Sequence, residues 1–272
     1  AMLITVGVLV LLIGYILIKG IPHLTPSLFS LTYTSDNVSL MPALVNTILM
    51  TLMSLLFAVP LGIFAAIYLV AYAGRGNKLV KVVRITAETL SGIPSIVSGL
   101  FGMLFFVNAL KWQYSFLSGS LTLAIMILPL IMRTTEEALK SVPDSYREGS
   151  FGLGAGRLRT VFRIVLPSAM PGILAGIILA IGRIVGETAA LLYTAGTVAN
   201  YPRAVAPAGS NWLQQGLSVF MSSGRTLSLH MYVLSGEALY IDQAYATAVV
   251  LLVVVIGINA LSSLIAKKIT KG

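Results

Sequence analysis

Residues 148–195 read EGSFGLGAGRLRTVFRIVLPSAMPGILAGIILAIGRIVGETAALLYTA, a glycine-rich basic stretch that runs into a long apolar one. The apolar part, about residues 169–195, exceeds the roughly 20 residues that a helix needs to cross about 30 Å of hydrocarbon. Its residues do not alternate apolar with polar, as strands of a membrane barrel would. The stretch predicts a membrane-spanning helix entered from a basic loop. Five more apolar runs carry that reading along the chain.

Composition agrees. Of 272 residues, 57% are hydrophobic and 10% charged, with a mean hydropathy of +0.94. A soluble domain carries about a quarter charged residues to cover its surface. The expected fold class is therefore an all-α membrane protein with six transmembrane helices, forming one domain over residues 1–272. The spans fall at about residues 2–18, 44–72, 80–110, 117–132, 169–195 and 244–266. Pro60 and Gly62 lie in the second, Gly92-Ile93-Pro94 interrupts the third, and Pro129 sits near the end of the fourth. The first run shows neither the basic start nor the small-residue cleavage site of a signal peptide, so it is read as a span. The absence of cysteine excludes disulfides and thiolate metal sites. His23 and His230 fall in different predicted outer loops, and no metal centre is expected from them.

The net charge of +9 invites a nucleic-acid reading, but the basic residues sit at the edges of apolar spans, where they set orientation. Arg75, Lys78, Lys81 and Arg84 follow the second span. Arg133, Lys140, Arg147, Arg157, Arg159 and Arg163 follow the fourth, and Lys267, Lys268 and Lys271 end the chain. The opposite side holds only Lys19, Lys111, Arg203 and Arg225. Both termini are expected in the cytoplasm of a bacterial cell, with a multi-pass chain in its plasma membrane. The outer segments 19–43 and 200–240 read equally as connecting loops or as contacts for an extracytoplasmic partner.

The inner loop 134–167 carries the most specific pattern. Pro143 should break its first helix, and Asp144 or Ser145 can cap a second, with Glu148 early in it where the helix dipole favours an acid. The glycines at 152, 154 and 156 are not a nucleotide-binding loop, because no strand precedes them and no Lys-Ser or Lys-Thr follows. Glu148-Gly149-Ser150 is followed after three residues by Gly154, and after nine more by Ile164-Val165-Leu166-Pro167. That spacing resembles the cytoplasmic motif of ABC importer permeases: E-A-A, three residues, Gly, nine residues, Ile, any residue, Leu-Pro. Gly149 and Ser150 replace two alanines. The resemblance implies a type I importer permease fold in which this loop forms a coupling helix on a separate ATPase. Glu148, Gly149, Ser150, Gly154, Ile164, Leu166 and Pro167 would serve that coupling. The chain itself would be no enzyme and bind no cofactor, ATP and Mg being held by the partner ATPase.

Two charge pairs are candidates for a substrate path. Arg183 and Glu187 are four residues apart in the fifth span, on one face of a continuous helix. Arg183 lies twelve residues beyond Pro171, about 18 Å at 1.5 Å per residue, near mid-membrane. An arginine there costs on the order of 3 kcal/mol to insert and is a functional candidate by default. Its planar donors suit phosphate or carboxylate oxygens, and Glu187 can hold it when no anion is present. A structural ion pair between helices is the plain alternative. Arg84 and Glu88 repeat the pattern R-I-x-x-E-T nearer the inner surface and have the weaker claim.

The segments 181–189, 90–101 and 59–69 resemble phosphate permeases within the importer family, a likeness reaching from about residue 44 to the end of the chain. That implies a heterodimer with a related permease, two ATPase subunits inside, and a phosphate-binding protein outside, all set in membrane lipid. Permeases for sulfate, molybdate or phosphonate are the nearest alternatives. An ion-coupled secondary transporter is the alternative of another class, although no inverted three-span repeat is visible.

Overall fold

The computed structural model describes residues 2–73, 78–205, 211–237 and 239–271, and the regular structure among them is helical. The long elements are α1 (Met2–Gly20), α2 (Met41–Ile67), α3 (Lys78–Gly92), α4 (Ser95–Gly102) and α5 (Phe116–Lys140). The inner loop holds α6 (Asp144–Gly152) and α7 (Arg157–Thr160), leading to α8 (Leu166–Val185). The remainder comprises α9 (Ala189–Leu192), α10 (Trp212–Val219), α11 (Leu227–Gly236) and α12 (Ile241–Lys271). Wider turns continue α2 over Tyr68–Tyr72 and α4 over Met103–Ala109, and join α7 to α8 over Val161–Val165. Their five-residue hydrogen bonds include Ala73 N–H to Tyr68 O and Leu110 N–H to Phe105 O, each at 2.9 Å.

Five helical stretches are long and apolar enough to cross a membrane: Met2–His23, Met41–Tyr72, Phe116–Lys140, Arg157–Val185 and Ile241–Leu264. Val80–Gly92 with Ser95–Ala109 makes a sixth if the interrupted pair is one span. The break lies where the sequence places it. Pro94 has no N–H to give and disfavours helical geometry at Ile93, so the helix stops at Gly92. Pro60, Pro129 and Pro171 stay inside helices, as membrane prolines commonly do. The fourth and fifth spans differ from the sequence expectation. The fourth span runs on to Lys140, because the helix outlasts its apolar part. The fifth begins at Arg157 and stops at Val185, well before residue 195.

The chain packs as two compact units. The first comprises Ala1–Leu52, Ser95–Thr122 and Val185–Gly257. In it α4 packs on α9 so closely that a Cβ on Gly99 would lie 2.6 Å from the Ala190 Cα. Such close approach of small residues brings membrane helices together where no hydrophobic driving force exists between them. The first amides of α5 have no helical partner. Loop carbonyls accept from them instead: Thr194 from Ser115, Ser222 from Phe116 and Phe220 from Leu117, at 2.8–3.0 Å. Leu28, Leu40, Ala43, Leu227 and Ala246 form an apolar cluster in this unit. Nearly all of α1 is exposed, Gly20 being its buried residue.

The second unit comprises Met53–Pro94, Leu123–Ile184 and Ile258–Gly272. Its core joins Ala66, Ile67 and Leu69 to Met132, Leu139 and Val142, and these to Val161, Val165 and Ile173. Gly62 meets the Ile131 side chain and Gly172 meets Ala138, each with 2.7 Å left for a Cβ. Helix α5 is thus gripped on two sides, which fixes the inner loop that follows it.

Gly99→Val should lower stability by about 1–3 kcal/mol, because the atom in the way is backbone that cannot swing aside. Thermal unfolding in detergent measures this. Gly7→Ala, with nothing within 4 Å of the new atom, should leave the midpoint unchanged or slightly raised.

Candidate functional site

The inner loop is built from α6 outward. Asp144 is the first residue of α6, not its cap; Pro143 holds that position, and the Asp144 carboxylate accepts from Arg147. The same guanidinium donates to the carbonyls of Leu139 at 2.8 Å and Val142 at 3.3 Å. It thereby satisfies the open C-terminal end of α5. After Gly152 the chain reverses through Gly154, whose φ of +80° is open to glycine and strained for other residues. Gly154 N–H donates to Phe151 O at 2.9 Å and Ala155 N–H to Ser150 O at 3.1 Å. Ser150 is buried, and its hydroxyl lies 2.8 Å from that of Thr160, tying α6 to α7.

Of the expected coupling residues, Glu148, Gly149, Gly154 and Pro167 are exposed or partly so, Ile164 and Leu166 half-buried, and Ser150 buried. Tyr146, Phe151, Leu153 and Leu158 also face outward, Leu153 with 91% of its surface accessible. Arg157, Arg159 and Arg163, which follow in sequence, are exposed as well. An apolar patch of this kind, rimmed by charge on a short helix, is the usual makeup of a protein contact.

The second feature is a charged cleft of about 340 Å³ within the same unit. Arg84, Glu88 and Ser91 line it from α3. Arg133, Glu136, Glu137 and Lys140 line it from α5, and Arg183 from α8. Arg183, Arg84 and Glu88, three of the four path candidates, thus share one cavity. Glu136 is its anchor: its Oε1 lies 2.7 Å from Arg84 Nη2 and 2.7 Å from Lys140 Nζ, with the residue only 8% exposed. Arg133 pairs with Glu137 at 3.1 Å. Among the described residues Arg183 has no ion-pair partner, and neither has Glu88. Four cations face three acids, so the cleft carries an excess positive charge and one uncommitted guanidinium.

Two sequence expectations need correction. Arg84 does not pair with Glu88, its helical neighbour, but reaches from α3 to Glu136 on α5. Glu187 does not share a helical face with Arg183. Helix α8 ends at Val185, and the four-residue spacing loses its meaning once the chain leaves the helix. Glu187 is buried in the first unit, where its Oε1 accepts from Ala190 N–H at 3.0 Å. Its carbonyl accepts from Ser228 Oγ at 2.7 Å.

In the sequence Arg133 and Lys140 read only as orienting charges, and Glu136 is not singled out. Their i,i+4 spacings in RTTEEALK announce the pairs within α5, whereas nothing local announces the bridge to Arg84. Among the described residues no group of three His, Asp or Glu is placed to hold a metal ion.

Comparison with known proteins fits this architecture. The family described as "Binding-protein-dependent transport system inner membrane component" matches residues 58–271. A probable ABC transporter permease protein, YqgI of Bacillus subtilis (strain 168), is 40% identical over 194 residues, 70% of this chain and 65% of that protein. The phosphate transport system permease protein PstA 1 of Mycobacterium tuberculosis (strain CDC 1551 / Oshkosh) is 36% identical over 225 residues, 82% of this chain and 69% of that one. PstA of Pasteurella multocida (strain Pm70) is 41% identical over 179 residues, covering 65% of this chain and 63% of the relative. The chain thus spans about two thirds of the length of these relatives.

Among solved structures, a bacterial alginate ABC transporter in complex with an alginate pentasaccharide-bound periplasmic protein aligns over 100% of this chain and 94% of that one. Its TM-score is 0.66 at 18% identity. The MetNI methionine ABC transporter, in an inward-facing conformation, aligns over 85% and 94% with a TM-score of 0.61, also at 18% identity. At that identity the likeness speaks for the fold, which is that of an ABC importer permease. The chain belongs to the family of inner-membrane components of binding-protein-dependent transport systems.

Proposed function

We propose that the chain is a permease subunit of an ATP-driven phosphate importer. The observation that carries the reading is the cleft at Arg183, where an unpaired guanidinium faces a cavity of about 340 Å³ that already holds Arg84, Arg133 and Lys140. Planar paired donors match the oxygens of a phosphate better than a point charge does. The relatives named as phosphate permeases support the same cargo.

In this reading both termini and the loop 134–167 lie in the cytoplasm. A related permease completes the path, and a phosphate-binding protein delivers the anion from outside. Two ATPase subunits serve the complex, one docking at the exposed face of α6 around Leu153 and Phe151. They bind ATP and Mg, and this chain does no catalysis of its own. Glu148, Gly149 and Gly154 shape the docking helix. Ile164 and Leu166 join it to α8, so that movement of the loop reaches Arg183 along one helix. Glu136 holds Arg84 and Lys140 in position while the cleft is empty. Glu187 contributes by fixing the turn after α8.

The deciding measurement is uptake of labelled phosphate by the reconstituted complex, with sulfate and molybdate as competitors. Competition by unlabelled phosphate alone is expected; equal competition by sulfate would reassign the cargo. Arg183→Ala should cut uptake at least about tenfold, the loss of one charge-assisted hydrogen bond or more, while the complex still assembles. Unchanged uptake would make Arg183 structural.

Gly154→Leu forces a branched side chain into positive φ at a cost of about 1–2 kcal/mol. It should lower cargo-stimulated ATP hydrolysis while phosphate release from the binding protein stays normal. Hydrolysis at the unaltered rate would remove the loop from the coupling path. Glu136→Gln frees two cations that are each about half exposed, and should cost about 1–2 kcal/mol in thermal unfolding.

A further inference from the structure

The first unit encloses a second cation, and among the described residues no acid pairs with it. Arg225 is 4% exposed. Its backbone is pinned on both sides: the N–H donates to Val198 O at 3.1 Å, and the carbonyl accepts from Asn46 Nδ2 at 3.2 Å. Two residues on, Leu227 N–H donates to Thr47 Oγ1 at 2.8 Å. The guanidinium lies over the Tyr33 ring, with Cζ 5.1 Å from the ring centre. Its Nε and Nη2 are buried and have no hydrogen-bond partner. These two nitrogens form a single edge of the planar fork, with their N–H bonds parallel.

His230 stands beside the same tyrosine, with its ring centre 6.2 Å from that of Tyr33. It is fully buried, and its one polar contact is a weak one with the backbone of Val38. Loss of hydration, and next the charge of Arg225, push its pKa down to about 3. The ring is therefore neutral near pH 7 and has one N–H to offer. Thr226 adds a hydroxyl, 3.2 Å from that of Ser228, which already donates to Glu187 O. The buried acid of this unit, Glu187, is engaged by the Ala190 amide and makes no ion pair among the described residues.

An arginine removed from water without a counter-charge is among the least favourable arrangements in a protein interior. Here the free donors are the two parallel N–H groups of Arg225, with the neutral His230 ring beside them. That set fits an anion presenting two or more oxygens. Burial of Arg225 and His230 excludes another protein's loop as the occupant.

We propose that Arg225 and His230 form a buried binding site for a phosphate-type oxyanion, held side-on by the free edge of Arg225. The site is distinct from the Arg183 cleft and does not depend on the cargo proposed above.

The test is thermal unfolding of the purified full chain in detergent, carrying Arg183→Ala so that the cleft is disabled. Inorganic phosphate is titrated in one arm and phosphatidylglycerol in another, with chloride matching ionic strength. A saturable rise in the unfolding midpoint is expected in at least one arm. Arg225→Met in this background should abolish the rise, and its midpoint without phosphate should be no lower than the parent's, since an uncompensated charge has been removed. Arg225→Lys keeps the charge but loses the fork, and should raise the half-saturating concentration about tenfold or more. This second variant decides the matter if Arg225→Met fails to fold. A rise confined to inorganic phosphate identifies a free ion, and one confined to the lipid identifies a headgroup. No rise in either arm, or a rise that both Arg225 variants leave unaltered, overturns the site.

Discussion

In hydrocarbon a backbone amide has no water to bond to, so each N–H and C=O must find its partner inside the chain. That requirement makes the long elements helical, and it explains how their ends are treated. The open amides of α5 are taken up by carbonyls at Thr194, Phe220 and Ser222. Its last carbonyls are taken up by Arg147. Where the ladder is interrupted, at Ile93 and Pro94, the chain forms two shorter helices. Between helices the driving force is close packing, supplied by glycines at 62, 99 and 172 against small or branched partners.

Within such a framework charges are expensive and therefore grouped. The second unit gathers seven of them around one cleft, and Glu136 binds two cations with one buried oxygen. This both neutralises the acid and joins α3 to α5 by a bond outside the apolar core. The first unit treats its charges differently. Glu187 is satisfied by backbone, whereas Arg225 retains an open edge.

Much of this was legible in the sequence. Apolar runs announce the spans because burial in lipid demands about 20 uninterrupted residues. The Glu148 to Pro167 spacing announces the loop because its turn depends on a glycine at one position, where φ is +80°. Two things were not legible. Helix ends inside apolar sequence leave little trace, so the stop at Val185, which takes Glu187 off the helix of Arg183, did not show. Partners from distant segments leave none: the periodicity that pairs Arg84 with Glu88 is local, but Glu136 wins because it is buried and can hold two cations at once. Arg225 read as an ordinary outer-loop charge, since nothing in the stretch SSGRTLSLH tells that it is buried.

The double hold of Glu136 has a consequence for how the cleft handles an anion. Arg84 and Lys140 are already occupied, so an incoming ion wins them only by displacing a carboxylate of the protein. Each new bond to the ion is offset by an ion pair that must open, and only Arg183 offers an uncontested one. On the proposed reading, a cavity of that kind would work as an ion exchanger, and the carboxylate beside the site would let the ion go again.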